Sequence, residues 1–223
     1  MSSPLLTHHV LLTPASLSLS NAQQPHHYLT SNTTLLLLPG DHVLSVNFTV
    51  ENVSHFEIHT QLTSPDNYTA NRNRIVCQGL VGFMLTNISH VMLRGLTFNY
   101  CGKRLNVCRC DPVTANYTTH LTIYEVWVDA GQDTKILNCS FQDSVGTSLG
   151  VFNSSLDLSG SNTFSNNCKV CSGRNRTCIC LGGGMYTHTS TLVFSDSITF
   201  LSNLAGAGIY AWQSILNFTG TAI

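Results

Sequence analysis

The sequence predicts an all-β protein, folded as a right-handed parallel β-helix with about 22–24 residues per rung and cysteine-rich loop insertions. Three observations support this fold class. Charged residues make up only 9% of the chain, short apolar or alternating runs recur between turn residues, and two sequence motifs return at fixed intervals. A solenoid explains all three, since each short rung buries its apolar face only when it stacks on neighbouring rungs.

The composition excludes several classes of protein. With 223 residues and 43% apolar content, the chain can bury a sizeable core. Lys and Arg total 10 and Asp and Glu total 11, so no basic surface indicates nucleic-acid binding. Ser, Thr and Asn take the place of the Glu, Lys and Gln that helices expose, and this disfavours helices.

Short runs with period-two alternation or continuous apolar character predict strands throughout the chain. The predicted strands are Thr34–Leu38, His42–Val46, Phe56–Thr60, Arg74–Cys77, Gly82–Leu85, Val91–Leu93, Leu96–Asn99, Leu121–Val128, Lys135–Phe141, Val151–Phe152, Ser155–Leu158, Gly184–Tyr186, Thr191–Phe194, Ile198–Phe200, Gly208–Ala211 and Ile215–Phe218.

Two repeats give the period. The segment Asn52–Ile58 returns 35 residues later as Asn87–Leu93, and Gly184-Met-Tyr returns 24 residues later as Gly208-Ile-Tyr. We interpret Gly150-Val-Phe as a third copy, 34 residues before Gly184, with the segment 168–180 as an insertion. Stacked rungs place like residues in ladders, and two are expected. One comprises Phe164, Phe200 and Phe218 in the interior, and the other places His55 over His90 outside.

The predicted β-helix domain spans residues 31–223, after a poorly structured or wrongly assigned N-terminal segment, 1–30. That segment lacks a basic start and makes a poor signal peptide. No apolar run is long enough to cross a membrane. The sequence ends in the middle of a rung pattern, so we expect a longer protein of which this chain is part.

Ten N-x-S/T sequons are present, where composition alone predicts about four. This excess indicates a eukaryotic secretory pathway and an extracellular or cell-surface location; the alternative is that Asn, Ser and Thr simply crowd β-turns. Asn138 is the weakest candidate, because it lies in a predicted strand. The predicted glycosylation sites are Asn32, Asn47, Asn52, Asn67, Asn87, Asn116, Asn153, Asn175 and Asn217.

The nine cysteines predict disulfides in the same compartment. The spacing C-x6-C-x-C occurs twice, and each occurrence fits a cross-linked loop; an odd count leaves one thiol free or paired with another chain. Zinc binding by the second cluster is the alternative. The disulfide candidates are Cys101, Cys108, Cys110, Cys168, Cys171, Cys178 and Cys180.

Several motifs resemble known β-helix repeats. Gly182-Gly-Gly-Met-Tyr186 followed by Phe200-Leu-Ser-Asn203 resembles the Gly-Gly-[Ala/Gly]-Ile and Phe-x-x-Asn repeats of polymorphic outer membrane proteins, and Phe164-Ser-Asn-Asn167 fits the same pattern. The segments 90–98 and 135–141 resemble rungs of the pectate-lyase-like right-handed β-helix superfamily. These resemblances imply an architecture, over roughly residues 33–223, and leave the function open.

No catalytic residue, cofactor site or metal site is predicted. The acidic residues are scattered, and Asp129, Asp133 and Asp143 form the best candidate for carboxylates that meet across rungs; solvated turn residues are the alternative. Gly146-Thr-Ser148-Leu-Gly150 matches G-x-S-x-G, but a nucleophile elbow needs a following helix, so we interpret the glycines as a rung corner.

Two functions from different classes remain open. The first is an extracellular structural or recognition module with glycans or surface proteins as partners; the second is a polysaccharide-active lyase or hydrolase. Five aromatic residues could stack on sugars, although core packing also explains them: Tyr124, Trp127, Tyr186, Tyr210 and Trp212. A cleft with convergent carboxylates would favour the enzyme.

Overall fold

The computed structural model describes residues 8–13, 30–44, 48–60, 73–77, 83–100, 124–144, 146–168, 183–203 and 208–222. These residues form 21 strands in three parallel sheets, which confirms the predicted parallel β-helix. The described ranges contain no helix, and therefore none that is long and apolar enough to span a membrane.

Each rung contributes one strand to each sheet in turn. The eight-stranded sheet contains β1 His8–Leu12, β2 Thr33–Leu37, β5 Ser54–Thr60, β8 Ser89–Arg94, β11 Thr134–Leu137, β14 Ser155–Ser159, β17 Thr191–Phe194 and β20 Ile215–Phe218. The seven-stranded sheet contains β3 Gly40–Leu44, β6 Asn73–Cys77, β9 Thr97–Asn99, β12 Ser140–Gln142, β15 Ser161–Ser165, β18 Ser197–Leu201 and β21 Thr221–Ala222. The six-stranded sheet contains β4 Phe48–Glu51, β7 Phe83–Thr86, β10 Tyr124–Asp129, β13 Thr147–Phe152, β16 Met185–His188 and β19 Ile209–Trp212.

The strand register gives the rung length directly. Thr33 is paired with Phe56, 23 residues later, Ile136 with Leu158, 22 later, and Phe194 with Phe218, 24 later. Three intervals are longer, at 35, 43 and 36 residues. The excess corresponds to the segments 61–72, 101–123 and 169–182, which lie outside the described residues.

Alternate side chains point inward and form one continuous core. Phe98, Phe141, Phe164 and Phe200 stack along the seven-stranded sheet, with ring centroids 5.2, 4.7 and 5.0 Å apart in succession. Full burial of such a side chain contributes about 1.5–3 kcal/mol. Phe164 and Phe200 are therefore ladder neighbours, as predicted. The prediction for Phe218 is wrong, because it stacks on Phe194 in the eight-stranded sheet, 4.3 Å away.

Asparagines at the corners replace lost ladder hydrogen bonds. The Oδ1 atom of Asn167 accepts the backbone N–H of Ser144, and its Nδ2 atom donates to the carbonyl of Phe141. Asn203 repeats this arrangement one rung later, with the N–H of Asn167 and the carbonyl of Phe164. The Phe-x-x-Asn motif thus combines an inward ring with a corner amide.

Several strand predictions need correction. Lys135–Phe141 is two strands, because Asn138 has φ 52° and turns the chain between β11 and β12. Strand β1 lies before residue 30, where the sequence predicted no strand. Gly150 is paired with Tyr186, and not with Gly184 as the repeat suggested; a shift of two residues preserves the inward–outward alternation.

Candidate functional site

The outer face of the six-stranded sheet carries a continuous row of rings, which we call the aromatic strip. It runs across four adjacent strands, β10, β13, β16 and β19. Its members are Trp127, Phe152, Tyr186, His188, Tyr210 and Trp212.

Strand alternation places these rings outside. Val126 and Val128 are completely buried in the interior, so Trp127 between them points outward. Parallel register then brings the other rings into line: Tyr186 is paired with Tyr210, and Phe152 with His188. Phe152, Tyr186 and Trp127 accordingly form an apolar cluster that is separate from the core.

The rings contact one another from rung to rung. Trp127 stacks on Phe152 at 4.3 Å, and Tyr186 stacks on Tyr210 at 5.7 Å with only 7° between their planes. His188 meets Trp212 edge to face at 5.7 Å. Contacts of this kind hold the side chains in fixed orientations.

Exposure increases toward one end of the strip. Phe152 and Tyr186 are nearly buried, whereas Tyr210 and Trp212, in the outermost strand of this sheet, are 41% and 36% exposed. Trp127 and His188 are half-buried. The strip therefore presents apolar ring surface to solvent on a rigid base of packed rings.

Polar groups border the strip where the strands end. Asp129 is paired with Phe152, and its carboxylate accepts a hydrogen bond of 3.2 Å from the side-chain amide of Asn153. Glu51 lies in the same outward column, two strands before Asp129, and is exposed. Ring surface beside carboxylate and amide groups can bind a ligand that has both apolar patches and hydroxyls.

Two buried polar side chains lie in the neighbouring outward column. Glu125 and Ser148 face each other between the pairs Tyr124–Thr147 and Val126–Leu149, and both are completely buried. The Ser148 hydroxyl has no hydrogen-bond partner. The chain continues from β13 into strand β14, so the helix that a nucleophile elbow requires is missing here. Gly150 lies inside β13, so our interpretation of it as a corner residue is wrong.

The three candidate carboxylates do not meet. Asp129 and Asp133 lie at the corner that follows β10, while Asp143 follows β12 and precedes β13. The six-residue length of β13 separates these corners by about 15–20 Å, beyond the limit of about 9.5 Å for paired glycosidase carboxylates. Asp133 and Asp143 both have positive φ, which is typical of turn residues.

The predicted histidine ladder is confirmed. The rings of His55 and His90 lie 4.7 Å apart at one corner, and Nδ1 of His90 is 3.5 Å from the Asp133 carboxylate. Within the described residues, no group of three His, Cys, Asp or Glu side chains is arranged to hold a metal ion.

Five of the predicted glycosylation sites lie in described residues. Asn52, Asn87, Asn153 and Asn217 are exposed and Asn32 is half-buried; Asn47, Asn67, Asn116 and Asn175 lie outside. Asn32, Asn52, Asn87 and Asn153 all have positive φ, which asparagine tolerates better than most residues. Corner geometry therefore gives these asparagines a structural role whether or not they are modified.

Among the described cysteines, Cys77 and Cys168 are disulfide-bonded, to partners outside the described residues. Cys139 is a free, buried thiol, and burial raises its pKa to about 12. The remaining predicted disulfide cysteines, from Cys101 to Cys110 and from Cys171 to Cys180, lie outside the described residues, so their pairing stays a prediction.

Sequence reasoning found four members of the strip and missed Phe152 and His188. The correct register, with Gly150 opposite Tyr186, would have placed both in one column with Trp212. The side chain of Tyr124 lies outside the described part of the structure, so its predicted role is untested.

Among solved structures, the fold is similar to a protein described as a "putative glycosyl hydrolase" from Parabacteroides merdae, with a TM-score of 0.55 and 10% sequence identity. The match covers 96% of this chain and 95% of that chain. At this identity the likeness concerns the fold alone. No protein-family model and no curated protein matches the sequence, so the resemblances to pectate-lyase-like proteins and to polymorphic outer membrane proteins stay predictions.

Proposed function

We propose that this chain is a glycan-recognition module that binds a polysaccharide along the aromatic strip. The observation that carries the proposal is the row of six rings on the outer face of one sheet, with Tyr210 and Trp212 exposed to solvent. Exposed aromatic surface of this kind is uncommon outside binding sites.

The chemistry of a sugar chain suits this surface. A pyranose ring has an apolar C–H face, which packs on an aromatic ring, and hydroxyls at its edge, which need hydrogen-bond partners. The strip offers rings along its length, and Asp129, Asn153 and Glu51 supply polar groups at its border. The printed description of the similar solved structure supports a polysaccharide as the ligand.

The proposed location is extracellular, on a cell surface or in secreted material. The sequon excess and the disulfide bonds of Cys77 and Cys168 support it. A rigid solenoid with a glycan-binding face suits a structural or adhesive role there, and surface proteins that carry glycans are possible partners.

Retention on insoluble polysaccharides tests the proposal. The intact chain is passed over cellulose, xylan, mannan and chitin, and the variants Trp127→Ala and Trp212→Ala are compared on whichever matrix retains it. Removing a ring at the centre of an interface costs about 2 kcal/mol or more, so we expect each variant to bind at least about tenfold more weakly.

Leu201→Ala is the matched control, because Leu201 is an exposed apolar side chain on the outer face of a different sheet. It should leave retention unchanged. Equal losses in all three variants, or retention on no matrix, would refute the proposal. Release of reducing sugar from a bound polysaccharide, abolished by Asp129→Asn, would instead establish the enzymatic alternative.

A further inference from the structure

We infer that the aromatic strip takes a neutral glycan and rejects polyuronates; this rests on the proposed function. The six strands that form its sheet contain no Lys or Arg, and their ionisable residues include three carboxylates. These acidic residues are Glu51, Glu125 and Asp129.

The carboxylates border the rings. Asp129 is directly paired with Phe152, and its column continues through His188 to Trp212. A ligand stacked on these rings therefore lies within a few ångströms of the Asp129 side chain. A uronate repeats a negative charge on every sugar, so repulsion from Asp129 and Glu51 recurs along the chain.

A neutral glycan has the opposite relation to the same groups. Its hydroxyls donate hydrogen bonds to carboxylate oxygens, and bonds to a charged acceptor are stronger than bonds between neutral groups. The Asn153 amide holds Asp129 at the border of the strip, through a 3.2 Å hydrogen bond. The same carboxylates thus favour hydroxyl-rich neutral chains and oppose anionic ones.

The described cations lie on other faces. Arg74 forms an ion pair of 2.6 Å with Asp41 on the seven-stranded sheet, and Arg94 and Lys135 belong to the eight-stranded sheet. The other seven lie outside the described residues, and an anionic ligand would have to recruit those. They are Arg72, Lys103, Arg104, Arg109, Lys169, Arg174 and Arg176.

The test compares polymers that differ in charge and share a backbone. The intact chain is titrated with soluble manno-oligosaccharides and with mannuronate oligosaccharides of the same length and linkage, and likewise with cello-oligosaccharides and their C6-oxidised forms. We expect the neutral member of at least one pair to bind about tenfold or more tightly than its acidic counterpart. The difference should shrink as salt is raised, because salt screens the repulsion.

The double variant Glu51→Gln, Asp129→Asn should bind the acidic oligosaccharide more tightly than the wild type does. Equal or tighter binding of the uronate by wild type, lost with added salt, would overturn the inference; if Trp212→Ala also abolished that binding, the proposed function would stand. Binding of neither member of any pair would overturn both.

Discussion

At the scale of single residues, the two glycine motifs and the phenylalanine ladder depend on one another. A Cβ atom at Gly184 would lie 2.7 Å from Cδ1 of Phe200, and one at Gly208 would lie 2.8 Å from Cγ of the same ring. The glycines therefore make room for the last ring of the ladder. This explains why Gly-x-Tyr and Phe-x-x-Asn occur together in the same rungs.

We expect Gly184→Ala to destabilise the protein by about 1–3 kcal/mol, the usual cost of overpacking a core. Urea unfolding of the variant measures the cost. In the double variant Gly184→Ala, Phe200→Leu the smaller side chain removes the clash, so the two effects should be less than additive. Strictly additive effects would show that the glycine acts through the backbone alone.

His42 is a buried residue that makes stability depend on pH. It is completely buried, and its Nε2–H donates to the Leu38 carbonyl at 2.8 Å, while Nδ1 has no partner. Burial lowers the pKa of His42 below its ordinary value, and the bond to Leu38 and the charge of Asp41 only partly oppose this. The folded state therefore favours neutral histidine.

The direction of the pH effect follows. Above about pH 6.5 His42 is neutral in both states, and stability is unaffected; below it, the unfolded chain takes up the proton first and stability falls. We expect His42→Leu to reduce the loss of Tm between about pH 7.5 and about pH 5.5. His9→Gln, at an exposed position of β1, is the control, and an unchanged pH dependence in His42→Leu would contradict the account.

At the scale of elements, the cysteines divide into two sets with the same arrangement. Cys77 ends β6 and Cys168 follows β15, both strands of the seven-stranded sheet and both residues buried. A segment with the spacing C-x6-C-x-C follows β9, which is the neighbour of β6, and another follows β15. Each set of four thus contains one cysteine of the wall and three of a connection to the six-stranded sheet.

We expect disulfides within each set and none between them. Register places Cys77 opposite Tyr100, next to Cys101, and neighbouring strands lie about 4.8 Å apart, within the reach of a disulfide. Peptide mapping without reductant should recover Cys77 with a cysteine of 101–110 and Cys168 with one of 171–180.

Cys139 should resist alkylation in the folded protein and react once the chain is unfolded without reductant, because burial raises its pKa to about 12. The variant Cys139→Ser should leave the disulfide map unchanged. A peptide that links the two sets, or one that contains Cys139 in a disulfide, would rule out this division.

At the scale of the whole molecule, the surface chemistry predicts secretion. Expressed in a eukaryotic secretory host, the protein should lose the mass of several glycans on treatment with peptide-N-glycosidase, and the reaction converts each occupied Asn to Asp. Exposed sequons such as Asn52, Asn153 and Asn217 are the expected sites. Asn138 should stay unmodified, because its Oδ1 atom accepts the N–H of Ser161 at 2.7 Å inside a corner.

Matched protein from a cytoplasmic host provides the control for this measurement. No glycan mass in the secreted protein, together with nine free thiols or thiols that react only after a chelator is added, would disprove the secretory location. The cysteine clusters would then be candidate metal sites in a reducing compartment.

Much of the fold could be predicted from the sequence because the inward positions repeat. The 35-residue return of Asn52–Ile58 and the 24-residue return of Gly184-Met-Tyr are both true registers. Phe218 and the Gly150 copy were assigned wrongly for a common reason. Any even shift preserves alternation, so an insertion of unknown length hides the true pairing.

The sequence by itself determined the class of fold, since scarce charge, short alternating runs and a rung-length repeat leave stacked parallel strands as the way to bury this much apolar surface. Only the tertiary structure decided which outward side chains meet. Trp127, Phe152 and Tyr186 are distant in sequence, and the lengths of the insertions between their rungs fix whether they align. The aromatic strip arises from that alignment, because parallel register brings residues of successive rungs within contact distance.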